Sequence, residues 1–593
     1  MLGDGKMRAA GEPDNIAALD DQDLRDRLNA LPLDRQIEIF RASGWQERVK
    51  VIKNSGVADR IMEAMPDEEV LLTFKGAGEE MGLALLPYCT GEQLRFILDI
   101  DLWSEYAVDE EQVLKWLGFL VSSGEKTIVD FVLTCDIELV TLFLSKLVRF
   151  VPIDDAVEMG EELTSIMPDE AFIVQALIPD ETSAIRILLS TIMVEDRDLY
   201  GDLRYSTYRA IAAETEEEAY RWRASRLEEK GILEYDEAAR IYECLRDREV
   251  RDIVAGKAPP YYRRANDIQV PAFYPMEIST SRTLYCELLD SLKDNRLRSR
   301  IAGDASYVTN RLLIADGKCI GDVEATAAAL GRLFSLANVG LQYVAKEGGR
   351  PPAKVLESAP VSDLFRLGLG LVTALGPEAD TLGRRCAPGP DGREYALFED
   401  YHIGVLKGLR MRTPMHYDPG AGEEDYRNFR TLEEIATARA VLAQVSVLQE
   451  ACCERLGVLS ATAVPAGGPA ADTSACAPAD AGRMNFGNVL TTGLARFVID
   501  GDFGLRPLEA RDLEEFLSRA FVGGGRKGRA LDGAASEKYA AWLKRKTGFR
   551  GHKWAIFEAY LSERLEMLEE DLGGASSGAD VDPILIGSIL LAR

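Results

Sequence analysis

Residues 109–150, DEEQVLKWLGFLVSSGEKTIVDFVLTCDIELVTLFLSKLVRF, decide the fold class. Within 109–122 the apolar residues Val113, Trp116, Leu117 and Leu120 recur at the spacing that places side chains on one face of an α-helix. Asp109 with Gln112 fits an N-cap and its reciprocal partner. In 137–150 the pattern inverts. Glu138, Thr141, Ser145 and Arg149 form one narrow polar stripe and nearly everything else is apolar, so the predicted helix must be covered on most sides. A covered helix beside amphipathic ones is what a layered stack of short helices produces, each layer burying the next.

The same theme extends towards the N-terminus. Leu31-Pro32, Met65-Pro66, Leu86-Pro87 and Met167-Pro168 each mark an expected helix boundary, because proline tolerates the first turn and stops a helix arriving from before. Asp34, Asp67-Glu68-Glu69 and Asp169-Glu170 follow, where the positive end of a helix dipole favours acids. Thr90 with Gln93 fits a capping box. The proline marks are irregularly spaced, so the repeat is degenerate. The predicted fold class is mainly α: an N-terminal α-solenoid-like stack of short helices, then one or two further mostly helical domains with minor β.

A chain of 593 residues exceeds one hydrophobic core. The expected organisation is a loose tail at 1–15, a helical-repeat domain at 16–254, and a mostly helical middle domain at 276–460. A flexible linker follows at 461–483, rich in Ala, Pro, Gly, Ser and Thr, then a small C-terminal α(+β) domain at 484–593. The 255–275 stretch, with Pro259-Pro260-Tyr261-Tyr262, marks the first boundary. Thr431 with Glu434 caps a long helix, and another runs from about 554 to 572 with Trp554, Phe557, Leu561 and Leu568 on one face. Asp500-Gly501 between Arg496-Phe-Val-Ile and Asp502-Phe503 reads as a small hairpin with a type I′ turn.

The net charge is −29. A chain this acidic repels nucleic acid and anionic membrane surfaces, so neither is an expected partner. The most apolar windows contain or adjoin Lys115, Lys146 and Arg149 and fall short of a spanning helix. The nine cysteines are scattered without a Cys-x-x-Cys, as in a reducing compartment. The N-terminus carries no apolar signal core. Together these readings point to the cytoplasm.

Several stretches resemble a bacterial family classed only as a domain of unknown function. They are Leu86-Pro87-Tyr88 through Leu94, Ile100-Asp101-Leu102-Trp103, Trp116-Leu117-Gly118, Tyr220-Arg221-Trp222-Arg223 with Arg226-Leu227 and Gly231, and Tyr426-Arg427 with Phe429-Arg430. The resemblance covers most of the chain and implies no activity. Residues 25–180 also resemble the cytosolic superhelical domain at the N-terminus of certain magnesium transporters, which implies the stacked architecture; the transporters' membrane part has no counterpart.

Candidate chemistry is sparse. Of the three histidines, His402 and His416 fall in one segment with Glu399 and Asp418, a donor set suited to a divalent metal with an open position for water. The competing reading is two satisfied loop histidines. Gly523-Gly524-Gly525-Arg526-Lys527-Gly528-Arg529 is the one basic glycine-rich loop, where Arg526, Lys527 and Arg529 form a candidate anion site; it lacks the P-loop pattern, and a plain surface loop is the alternative. Gly368-Leu-Gly370 has no third glycine at dinucleotide spacing and reads as close helix packing. No pattern specifies a nucleophile or a general base. The expectation is a non-catalytic scaffold or regulatory adaptor with a protein partner and no cofactor, the alternative being a metal-dependent enzyme or ligand-binding protein with its site in residues 390–420.

Overall fold

A computed structural model describes residues 20–104, 106–155, 164–257, 283–385, 397–421, 425–458, 484–525, 528–575, 581 and 586–592. The expected tail at 1–15 and linker at 461–483 lie outside these residues, as does most of the 255–275 stretch. The chain is mainly α with minor β, and divides into two compact units, Met1–Arg366 and Leu367–Arg593.

The first unit begins with α1 (Asp21–Asn29), α2 (Leu33–Ala42), α3 (Trp45–Asn54), α4 (Ala58–Glu63), α5 (Asp67–Gly76) and α6 (Glu79–Gly82). Pro32 and Pro66 are the N-caps of α2 and α5, and the predicted acids occupy the first turns. Pro87 lies inside a 3-10 turn, Leu83–Tyr88, and Thr90 then closes a capping box with Gln93 at the start of α7 (Gly91–Asp101). A two-residue ribbon, β1 (Trp103–Ser104) with β2 (Ala107–Val108), precedes α8 (Glu110–Ser123), α9 (Glu125–Thr134) and α10 (Ile137–Leu147). α8 buries Val113, Trp116, Leu117 and Leu120, the predicted stripe. α10 buries seven side chains, Thr141 among them, as a covered helix must.

Two expectations fail here. The helix predicted over 137–150 stops at Leu147, and β3 (Val148–Pro152) follows, paired antiparallel with β4 (Phe172–Ala176). The reason is a change of period: Val148 and Phe150 are buried while Arg149 between them is exposed. Met167-Pro168 opens no helix. Asp169 instead accepts the Ala171 and Phe172 N–H groups at 2.9 and 3.0 Å, a side-chain turn that feeds β4.

The unit continues through α11 (Thr182–Glu195), α12 (Arg197–Arg209), α13 (Ala212–Glu229), α14 (Tyr235–Ala239) and α15 (Asp247–Val254). α16 (Leu284–Asp290), α17 (Asn295–Ala315), α18 (Val323–Gly348) and α19 (Pro352–Ser358) belong to it as well, and α14 packs on α17. α20 (Val361–Thr373) crosses the unit boundary. Close packing is resolved at Gly340 of α18, where a β-carbon would collide with the main-chain oxygen of Leu364.

The second unit holds α21 (Gly376–Arg385), α22 (Asp400–Leu409), a short ribbon of β5 (His416–Tyr417) with β6 (Tyr426–Arg427), and α23 (Leu432–Gln449). Thr431 and Glu434 form the predicted capping box, and the last turn of α23 widens into a π-helical segment, Glu450–Arg455. After it come α24 (Phe486–Asp500), α25 (Ala510–Ala520), the hairpin of β7 (Phe521–Gly525) with β8 (Gly528–Leu531), α26 (Gly533–Thr547) and α27 (Gly551–Leu572). α24 and α27 pack together at the centre. The hairpin expected at Asp500-Gly501 is absent, because Arg496 to Asp500 are the last turn of α24. Gly501, at φ 82°, is its left-handed C-cap. Both motifs need a residue with positive φ, so the dipeptide alone does not separate them. The apolar C-terminal segment docks, with Ile589, Leu590 and Leu591 buried and the Leu590 N–H donated to Thr492 Oγ1 at 2.9 Å.

Candidate functional site

In the first unit, three of the segments that carry the family resemblance meet. Asp99, near the end of α7, has a side chain only 2% exposed. Arg226 of α13 grips it with two parallel bonds, Nε to Oδ2 and Nη2 to Oδ1, both 2.8 Å. Its third nitrogen, Nη1, bonds Asp136, the N-cap of α10. Arg223 donates to the Asp99 main-chain oxygen at 2.6 Å and lies over the Trp103 ring, which meets Tyr220 edge-on. Burial pushes the Asp99 carboxyl above its ordinary range, and Arg226 opposes that push. Two further residues of the resemblance join nearby: Trp116 Nε1 donates to Asp101 Oδ2 at 2.9 Å, and Lys75 bonds Oδ1 of the same carboxylate at 2.5 Å. The charged groups are matched to protein partners, while the buried Trp103 indole N–H is left without one, so the cluster is a clasp between α7, α10 and α13.

In the second unit the polar centre lies where α22, α23, α24 and α27 converge. Glu399, the N-cap residue of α22, takes the Tyr560 hydroxyl at 2.7 Å and Arg564 Nη1 at 3.0 Å on one oxygen, Oε1. Its other oxygen stands 3.6 Å from His402 Nδ1. His402 is 4% exposed, and its Nε2 lies 3.1 Å from Gln444 Oε1. Burial and the Glu399 charge both raise the Tyr560 phenol, which stays protonated as a donor. The centre opens into a small cleft lined by Glu399, Gly487, Asn488, Thr491, Arg564 and Ser588 among others.

His416 sits elsewhere in the unit, half-buried on β5 with its ring 5.2 Å from that of Phe429. Burial lowers its pKa, and Arg427 adds to the effect while Glu434 opposes it. Asp418 is held by Arg427, whose Nε bonds it at 2.5 Å while Nη2 bonds Glu434 at 3.0 Å; that hydrogen bond pulls the Asp418 carboxyl below its usual range. The structure thus sets Glu399 3.6 Å from His402 Nδ1, which has no hydrogen-bond partner, and commits Asp418 to an arginine. Among the described residues no group of three or more His, Cys, Asp or Glu side chains is placed to hold a metal ion. Arg526 and Lys527 lie outside the described residues. Arg529 is half-buried on β8, its N–H donated to the Gly573 carbonyl at 2.8 Å.

A family model described as a family of unknown function, DUF6178, matches residues 25–592. The chain belongs to the DUF6178 family. No curated protein and no solved structure matches it. The DUF6178 match spans both units, so the clasp and the cleft both fall inside it. No helix among the described residues is long and apolar enough to cross a membrane.

Sequence reading finds Glu399 and His402 but misses Tyr560, Arg564, Gln444 and Asn488. Two signals were present. Tyr560 and Arg564 are four apart on α27, so they share a face beside its apolar stripe. Asn485 and Asn488 form a reciprocal cap that fixes the start of α24.

Proposed function

We propose that this chain is a non-catalytic cytoplasmic scaffold that binds a protein partner through the solvent-facing sides of α11 and α12. One observation carries the reading: large apolar side chains stand exposed on these two neighbouring helices. Ile187 and Val194 are two turns apart on the outer face of α11, opposite the buried Ile185, Leu188 and Ile192, and Val194 is 83% exposed. Tyr205 and Tyr208 of α12 and Ile211 just beyond it are exposed as well. Exposed apolar side chains clustered on one face mark interaction surfaces. Along the two helices exposed Glu195, Asp196, Asp198 and Asp202 outnumber exposed Arg186, Arg197 and Arg209, so the fitting partner has an apolar anchor within a net basic rim.

The test is affinity capture from lysate of the source cells, comparing the native chain with an Ile187→Asp, Val194→Asp, Ile211→Asp variant of unchanged helicity. The expected result is a stoichiometric partner held by the native chain, weakened by salt and lost from the variant. Equal recovery on both, or a native chain that recovers no stoichiometric protein, overturns the reading.

A further inference from the structure

The two charged residues that line the cleft of the second unit, Glu399 and Arg564, balance in charge and pair directly at 3.0 Å. Neither group is saturated. Glu399 Oε1 holds two donors, whereas Oε2 has only the His402 ring at 3.6 Å, beyond hydrogen-bond length. Arg564 uses Nη1 on Glu399 and Nη2 on Glu563, and its Nε has no partner. A guanidinium carries five N–H donors, so several remain. Ser588 Oγ, on the docked C-terminal segment, is likewise buried without a partner. The Gly487 N–H, second in α24, has no acceptor among the described residues, and the helix dipole polarises it towards an anion.

Glycine at 487 lets Arg564 and Glu399 approach the start of α24 closely. A β-carbon there would lie 2.8 Å from Arg564 Cδ, 3.0 Å from Glu399 Oε1 and 3.1 Å from Asn485 Oδ1. A wall with one unsaturated carboxylate edge and a separate cluster of unsaturated donors, at zero net charge, favours neither a cation nor an anion alone. It matches a molecule that carries both charges a few bonds apart.

We propose that the cleft binds a small zwitterion with an α-amino-acid headgroup. Its ammonium pairs with the free edge of Glu399. Its carboxylate takes the unengaged Arg564 donors, the Ser588 hydroxyl and the Gly487 N–H, while the half-exposed Met567 at the lining meets the side chain.

The test is calorimetric titration of the full chain with each of the twenty amino acids, repeated for the best binder with its decarboxylated amine and its deaminated acid. At least one amino acid is expected to bind with a Kd of about 1 mM or tighter, and both analogues at least about tenfold more weakly. Gly487→Ala, with helicity retained, is expected to weaken binding by at least about tenfold. Should that variant not fold, Ser588→Ala serves in its place with a several-fold loss. The proposal is overturned if no amino acid binds up to about 10 mM, if either analogue binds as tightly as the parent, or if the folded variant binds unchanged.

Discussion

Arg226→Ala tests the clasp of the first unit most directly. The substitution removes two bonds to Asp99 at 2.8 Å and the bond to Asp136. Asp99 cannot turn to water, since its side chain is 2% exposed, and Arg223 reaches only its main-chain oxygen. A buried carboxylate stripped of its counter-charge destabilises a protein by about 3–5 kcal/mol. Asp136, at 22% exposure, rehydrates and adds little. The loss should depend on pH. Burial already raises the folded-state pKa of Asp99, and without Arg226 it rises further. A carboxyl raised on folding binds more protons folded than unfolded, so stability falls as pH climbs from its unfolded value through its folded one. The deficit of the variant is therefore largest at neutral pH and shrinks on acidification.

Two units need not unfold together, so a global melt is the wrong readout. Hydrogen exchange followed by mass spectrometry on peptides from α7, α10 and α13 reports the clasp locally. At neutral pH the variant should lose protection there while α24 and α27 keep theirs. Pairing Arg226→Met with Asp99→Leu, which removes both charges, should restore most of the loss. A deficit below about 1 kcal/mol in the single variant, or one that does not shrink towards acid, refutes the reasoning.

Other outcomes follow from single contacts. Trp116→Phe removes the indole bond to the Asp101 carboxylate and should cost about 1.5–3 kcal/mol in urea denaturation read on the first unit. Gly340→Ala drives a β-carbon into the Leu364 carbonyl, and backbone cannot yield as a side chain does; a loss of about 1–3 kcal/mol should outweigh the helix propensity alanine gains, and a stabilised variant would refute the packing. Burial pushes the Cys89 thiol up to about 12, so a thiol reagent at neutral pH should label exposed Cys244 and Cys319 and leave Cys89, Cys135 and Cys452 until denaturant is added. In the second unit, burial tends to raise Asp512, but the bond from Arg496 at 2.7 Å and its charge outweigh that and lower it. Its contribution should be complete above the ordinary aspartate range and vanish as pH falls through the lower folded value, and Asp512→Asn should flatten that part of the acid titration.

Local patterns made the helices legible, and contacts distant in sequence made the site illegible. The stripe Val113, Trp116, Leu117, Leu120 and the box Thr90–Gln93 are settled within one or two turns, so the chain states them outright. Errors fell where one local signal serves two structures. Gly501 suits a turn or a helix end, and the choice belongs to Arg496, whose buried guanidinium is fixed by the Arg506 and Pro507 carbonyls and Asp512. Val148-Arg-Phe-Val continues an apolar helix on composition alone, and only the pairing of Val148 with Ala176 and Pro152 with Phe172 makes it a strand.

The polar centres obey the same logic. Asp99 and Arg226 lie 127 positions apart, and Glu399 and Tyr560 lie 161 apart. Nothing in periodicity joins them; only the packing of covered helices does. His402 and His416 attract attention because histidine is rare in this chain. His402 lies near the carboxylate one turn back, at Glu399, without a hydrogen bond to it, and Asp418 is bonded by Arg427. In a chain with 98 acidic and 69 basic residues, a buried carboxylate is satisfied by whichever cation the fold delivers. The informative groups are those that the fold leaves unsatisfied, and in the second unit the unpartnered Arg564 Nε and Ser588 Oγ belong to residues that line one cleft. The charged groups of the clasp around Asp99 are all paired, whereas Arg564 at the cleft keeps donors unengaged, and that difference separates the proposed ligand site from a structural joint.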